Sequence, residues 1–178
     1  MIKLKQPALA LHACDVPGYH YKMQTTWLMD KGASASQLVF WIDWAVRYSD
    51  NQRLENVVIN CHGTPGFLHI GGSWSGFGIE GVKLFEKFKA TKAVGTIWLV
   101  ACRVVDSPSG SHIGEDFCSA LARASGAKVI ASRDSQRVEG VFDFFRPNNC
   151  IDSYEGGALA FYPDGSISNF INDYSREF

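Results

Sequence analysis

Two short segments constrain this chain most: Val57 to Cys61, "VVINC", and Thr96 to Ala101, "TIWLVA". Both are brief, rich in β-branched residues and apolar at consecutive positions rather than at alternate ones. Successive side chains of a strand point to opposite faces, so such a run needs cover on both sides, the situation of a strand inside a parallel sheet. Between them, Val82, Leu84, Phe85 and Phe88 mark the apolar side of a helix over Ile79 to Lys89. Upstream, Leu38, Trp41, Ile42, Ala45 and Val46 recur at three- and four-residue steps in "SASQLVFWIDWAVRY". They predict an amphipathic helix from Ser34 to Tyr48 with Ser34 or Ser36 as N-cap. A third helix is expected from Ile113 to Ala124, stopped by Gly126, and a further strand at Ala127 to Ala131.

Alternation of helix and strand predicts an α/β fold: a mainly parallel central sheet with helices on both faces, in three layers. Ala8 to Ala13 and Gln24 to Leu28 read as strands around a turn at Val16-Pro17-Gly18, an antiparallel ribbon or an edge of the sheet. Pro163-Asp164-Gly165, between Ala158 to Tyr162 and Ser166 to Phe170, signals a C-terminal hairpin. Nothing divides the 178 residues, and this length suits a single domain.

A formal net charge of -1 leaves no electrostatic footprint for nucleic acid or an anionic membrane. No apolar run approaches the ~18 residues needed to cross a bilayer, and no secretion signal opens the chain. Five unpatterned cysteines, Cys14, Cys61, Cys102, Cys118 and Cys150, argue against a disulfide framework or a zinc ribbon and for a reduced, cytoplasmic setting, with a secreted effector as the alternative. Five tryptophans point to core or groove packing.

The apolar strands end in chemistry. The first runs into His62-Gly63 and the second into Cys102. If the two are parallel neighbours, histidine and cysteine emerge side by side at the carboxyl edge, where open α/β sheets collect their functional groups. A thiolate attacks a carbonyl, and an imidazole within reach takes its proton and later returns one to the leaving amine. Gly63 lets the backbone approach closely, and its N–H with that of Cys102 suits an oxyanion. Alone, His62 would be a structural histidine and Cys102 a small buried hydrophobe. Cys61 points to the other side of its strand, and Cys118 lies on a helix face, so both read as core. His69 and His112 remain as other candidate bases, though neither ends a buried strand. Gly76 to Gly81 matches the letters of a dinucleotide fingerprint but lacks both the leading strand and the acidic residue after the next one. No G-x-S-x-G elbow is present.

The paired blocks His62-Gly63 and Ala101-Cys102 resemble the caspase-like cysteine peptidases, a group that includes caspases, clostripain, gingipains, separase and the self-cleaving domains of bacterial toxins. Caspases carry Gln-Ala-Cys-Arg-Gly with the histidine ~50 residues upstream; here the run is Val100-Ala101-Cys102-Arg103-Val104 and the interval about 40. "HGTPGFLHIGG", "LVACRV", Gly114 and "GAKVIASRDS" look closer still to a bacterial caspase-like domain of unknown function. The resemblance covers about Val57 to Ser135. It implies a caspase-like sheet, peptide-bond hydrolysis through an acyl-enzyme on Cys102, His62 as base and acid, Gly63 in the oxyanion hole, a protein or peptide substrate, and no metal or organic cofactor. Val100 and Val104 depart from the caspase pattern, so a preference for aspartate does not transfer. Arg103, Ser132 and Asp134, near the same edge, are the expected substrate-binding residues, with Asp134 favoured. A non-catalytic binding module of the same fold, and a cysteine acyltransferase or deamidase, are the alternatives.

Overall fold

The computed structural model describes residues 1–16, 21–72, 75–107, 110–136 and 147–170. Among these residues eleven strands appear in chain order: β1 (Ile2–Lys3), β2 (Ala8–Ala13), β3 (Thr25–Met29), β4 (Leu54–Asn60), β5 (His62–Thr64), β6 (Phe67–His69), β7 (Val94–Val100), β8 (Lys128–Ser132), β9 (Cys150–Ile151), β10 (Ala158–Phe161) and β11 (Ile167–Phe170). The α-helices are α1 (Ala35–Tyr48) and α2 (Ile113–Ser125), joined on the same side of the sheet by a 3₁₀ helix over Ile79–Phe88.

The central sheet has seven strands in the order β11-β10-β8-β7-β4-β2-β3. Strands β3, β2, β4, β7 and β8 are parallel, while β10 and β11 close one end antiparallel as the expected hairpin. The two apolar segments are therefore neighbours, with Val57 opposite Ile97 and Asn60 opposite Val100. Strands β2 and β3 form an edge but not an antiparallel ribbon, because they pair parallel from Leu9–Thr25 to Ala13–Met29. Parallel pairing requires a long return path, so a proline-glycine signal in the connection does not by itself mark a hairpin. Pro17 and Gly18 of that expected turn, Pro108 and Ser109 of the loop after β7, and Trp74 lie outside the described residues.

Helix α1 starts where its chemistry dictates: the Ser34 hydroxyl accepts from Gln37 N–H, and the Gln37 side chain accepts from Ser34 N–H. This reciprocal capping satisfies two of the orphan amides of the first turn. Helix α2 ends at Gly126, whose φ of 70° is left-handed and whose N–H reaches Ala122 O. The 3₁₀ helix differs from the α-helix expected there. Its buried residues Val82, Phe85 and Phe88 are spaced by three, the period at which 3₁₀ side chains eclipse along one ridge, while Leu84 turns outward at 36% exposure.

Both α-helices and the 3₁₀ helix pack on one face of the sheet, against Leu9, Leu11, Val57, Ile59, Ile97 and Leu99. This corrects the expectation of helices on both faces, as far as the described residues go. The opposite face, with Ala10, Val58, Trp98 and Ile130, is covered by Leu4, Tyr21, Met23, Ile151 and Tyr154, from non-helical chain and the small β1–β9 ribbon. Runs apolar on both faces demand cover, but they do not specify which kind of element provides it.

Candidate active site

Past the Asn60–Val100 pair, Cys61 N–H still donates to Val100 O at 3.2 Å, and then the two chains part. The first turns into the β5–β6 hairpin, which rests on the loop following β7: Gly66 N–H donates to Val104 O at 3.0 Å. Leu68 exchanges both backbone hydrogen bonds with Phe77, so the Gly63–Leu68 position is a non-hydrogen-bonded pair and Gly63 N–H points away from β6. A Cβ on Gly63 would lie 2.7 Å from Cys102 O and 3.0 Å from Ala101 Cβ. Only glycine allows this approach. Gly114 plays the matching part on the other side, where α2 meets the Val104 carbonyl too closely for a side chain.

His62 is exposed, and its Nε2 lies 3.2 Å from Asp15 O at the end of β2. A carbonyl only accepts, so Nε2 carries the proton and the neutral ring keeps a bare lone pair on Nδ1, the form a base requires. Cys102 is half-buried; its thiol donates to Gln136 O at 3.4 Å and accepts from Gln136 N–H at 3.3 Å. No hydrogen bond joins the thiol to His62, yet both side chains line one cleft of about 200 Å³ at the carboxyl edge.

The residue after the cysteine is strained. Arg103 has φ of 53°, a left-handed backbone that side chains disfavour, and such outliers persist where surrounding bonds overdetermine them. Here Arg103 N–H donates to Asp134 O at 3.0 Å, Val105 N–H to Ser132 O at 3.1 Å, and Asp106 N–H to Arg103 O at 3.0 Å. The Arg103 guanidinium also grips Asp106, with Nε 2.8 Å from Oδ2, and holds that carboxyl below the usual aspartate range. Cys102 N–H has no partner among the described residues.

The residues expected to bind substrate fare differently from the pair. Ser132 is fully buried; its hydroxyl accepts from Asp134 N–H at 3.0 Å and from Gln136 Nε2 at 2.7 Å. The Ser132 hydroxyl is thus taken up within its own loop. The Asp134 carboxylate accepts from Gly157 N–H at 2.7 Å, and Arg103 is taken by Asp106. None of the three lines the cleft, whose polar wall is Asn60, Gln136, Asp152 and Ser153.

Of these, Gln136 stands out: besides its backbone contacts with the thiol, its side chain donates to Ser132 Oγ and to Glu155 O and accepts from Glu155 N–H. Sequence spacing could not reveal it. Asn60 and His12 did leave a signal, since each is a polar residue following three apolar ones, Val57 to Ile59 and Leu9 to Leu11, near the carboxyl end of its strand.

The remaining candidates recede. Burial pushes the Cys61 and Cys118 thiols well up, as core positions should. His69 sits across from His62 with Nε2 3.4 Å from Thr64 Oγ1, and His112 is an exposed residue preceding α2. Gly78 N–H, at the start of the 3₁₀ helix, is taken by Glu80 Oε1 at 2.9 Å, which fills the position a phosphate would need. Among the described residues, no group of three or more His, Cys, Asp or Glu is arranged to hold a metal, and no helix is long and apolar enough to cross a membrane.

Comparison of the chain with protein-family models, curated proteins and solved structures gives no match.

Proposed function

We propose that the protein is a caspase-like cysteine endopeptidase. The observation that carries this reading is that His62, with its outer nitrogen tied to a backbone carbonyl, and Cys102, before a strained turn, open into one cleft from adjacent parallel strands. On substrate binding, the thiol exchanges its bond to Gln136 O for one to His62 Nδ1, and Nδ1 takes the Sγ proton. The thiolate attacks the scissile carbonyl carbon, and Gly63 N–H and Cys102 N–H receive the resulting oxyanion. The C–N bond breaks as the imidazolium returns the proton to the amine. Water then adds to the thioester, His62 taking its proton and handing it to Sγ as the acid leaves. Asp15 O holds the ring in the productive tautomer throughout.

A second reading, a non-catalytic binding module, draws support from the thiol being bonded to Gln136 rather than to His62. Two measurements decide. A peptide library incubated with wild type and with Cys102→Ala is expected to show cleavage only by wild type; cleavage by both alike would remove Cys102 as nucleophile. Iodoacetamide labelling of Cys102 as a function of pH is expected to depend on His62, and an unchanged profile in His62→Ala would favour the binding module.

A further inference from the structure

Asn60 lies at the last paired position of β4 and is only 4% exposed, yet it lines the cleft. Its register partner on β2 is His12, which is fully buried. The two side chains meet with Asn60 Nδ2 3.0 Å from His12 Nδ1, while His12 Nε2 lies 3.2 Å from Tyr21 O. The direction of this chain of bonds follows from the amide orientation, with Nδ2 toward the ring, and from the neutral form of His12. Tyr21 O can only accept, so the ring proton sits on Nε2 and Nδ1 of the neutral ring is an acceptor. Asn60 must therefore turn its NH₂ toward His12, and its carbonyl oxygen is left pointing the other way. Oδ1 has no hydrogen-bond partner among the described residues, and since Asn60 lines the cleft, this oxygen is the acceptor it has to offer there.

We infer that Asn60 is a specificity-determining residue of this cleft and that His12 is the positioning residue that fixes its polarity, so that the site selects substrate side chains able to donate a hydrogen bond. This rests on the peptidase reading for the identity of the ligand as a peptide, but the polarity of the cleft does not. A buried, fixed acceptor discriminates in one direction. A donor-bearing side chain satisfies it, whereas an isosteric acceptor both leaves Oδ1 desolvated and faces it with a like partial charge. Asp152, also in the wall, accepts from Tyr21 OH at 3.1 Å. The walls between are apolar, with Val16, Val100 and Tyr154, so the favoured side chain has an apolar stem and a donating end. Glutamine against glutamate is the sharpest pair, since the two differ in donor capacity and charge but hardly in shape.

The test uses the full chain and peptides that differ only at the residue whose carbonyl is attacked, with Gln, Glu, Lys or Ala there. Wild type is expected to prefer Gln and Lys over Glu by about tenfold or more in kcat/KM. Asn60→Leu should erase that preference while leaving the Ala peptide within about threefold, and Asn60→Asp, which keeps an acceptor, should restore it. His12→Phe should relax the preference although Asn60 is intact. Equal loss on all four peptides in Asn60→Leu, or no loss, overturns the inference. Circular dichroism on each variant separates misfolding from altered selection. Should no peptide be cleaved, the peptidase reading fails by itself, and the cleft is read by protection of Cys102 against iodoacetamide. N-acetyl-glutamine methylamide is then expected to protect and N-acetyl-glutamate methylamide not to, with the difference lost in Asn60→Leu. Equal protection by both overturns the assignment of Asn60.

Discussion

On the helical face of the sheet, the buried side chains supplied by β2, β4 and β7 are apolar, Leu9, Leu11, Val57, Ile59, Ile97 and Leu99 among them. His12, Asn56, Asn60 and Ser132, the buried polar residues of the strands, share the other parity and so the other face. Helices satisfy their own backbone groups and ask only for apolar contact beneath them. Irregular chain carries unpaired carbonyls and amides, so the sheet beneath it must supply polar partners. His12 meets Tyr21 O, and Asn56 donates to Lys5 O at 2.8 Å while accepting from Trp98 Nε1 at 2.7 Å. Tyr154 OH in turn donates to Leu99 O and Ile130 O, and burial raises that hydroxyl well above its usual range. The cleft opens on the polar face, where side chains are already held by directional bonds.

This contrast can be broken by substitution. The largest effect expected is on turnover: Cys102→Ala should lower kcat/KM on a cleaved peptide by at least ~10³-fold, with the urea midpoint almost unmoved. Phe117→Ala, in the helical core and fully buried, should reverse the pattern. It is expected to cost about 3–5 kcal/mol by urea unfolding, while the remaining folded molecules react with iodoacetamide at the wild-type rate. On the polar face, Asn56→Ala strands both Trp98 N–H and Lys5 O and should cost about 1–3 kcal/mol, more than its small apolar area would suggest. A loss below ~0.5 kcal/mol would show that these bonds hold nothing in place.

Smaller still is the effect of Gln136→Ala. The backbone contacts with the thiol survive the substitution, but the side-chain clamp on Ser132 and Glu155 is lost, so the rate of Cys102 labelling should rise modestly while the unfolding midpoint changes little. The smallest concerns Asp106, whose carboxyl is held low by Arg103. Its NMR titration midpoint should lie below the ~3.9 of a free aspartate and return toward it in Arg103→Ala. Because the folded value is the lower one, the contribution is present above the ordinary aspartate value and disappears as pH falls through the folded value.

Much of the frame is legible in the residues themselves. Strand β2 begins and ends where its pattern does, Ser34 caps α1, Gly126 stops α2, and β4 and β7 lie side by side. That His62 and Cys102 come to one cleft was legible because each stands two residues past the end of a strand whose composition announces it. The partners of Ser132 and Asp134, and their place outside the lining of that cleft, were not. Proximity in sequence to the sheet edge says nothing of whether a hydroxyl is consumed by Gln136 or a carboxylate by the amide of Gly157.

What the amino-acid sequence determined by itself is therefore the local and the periodic: which segments are strands or helices, where they stop, and which reactive residues stand at their ends. Backbone propensity and apolar period act over a few residues, so a few residues are enough to read them. Only the tertiary structure decided which face the helices cover, that the thiol rests on Gln136, and that Asn60 meets His12 at the wall of the cleft. Those outcomes depend on hydrogen bonds between residues far apart in the chain, such as Asn60 with His12 and Tyr21 with Asp152, whose donors and acceptors leave no spacing to recognise.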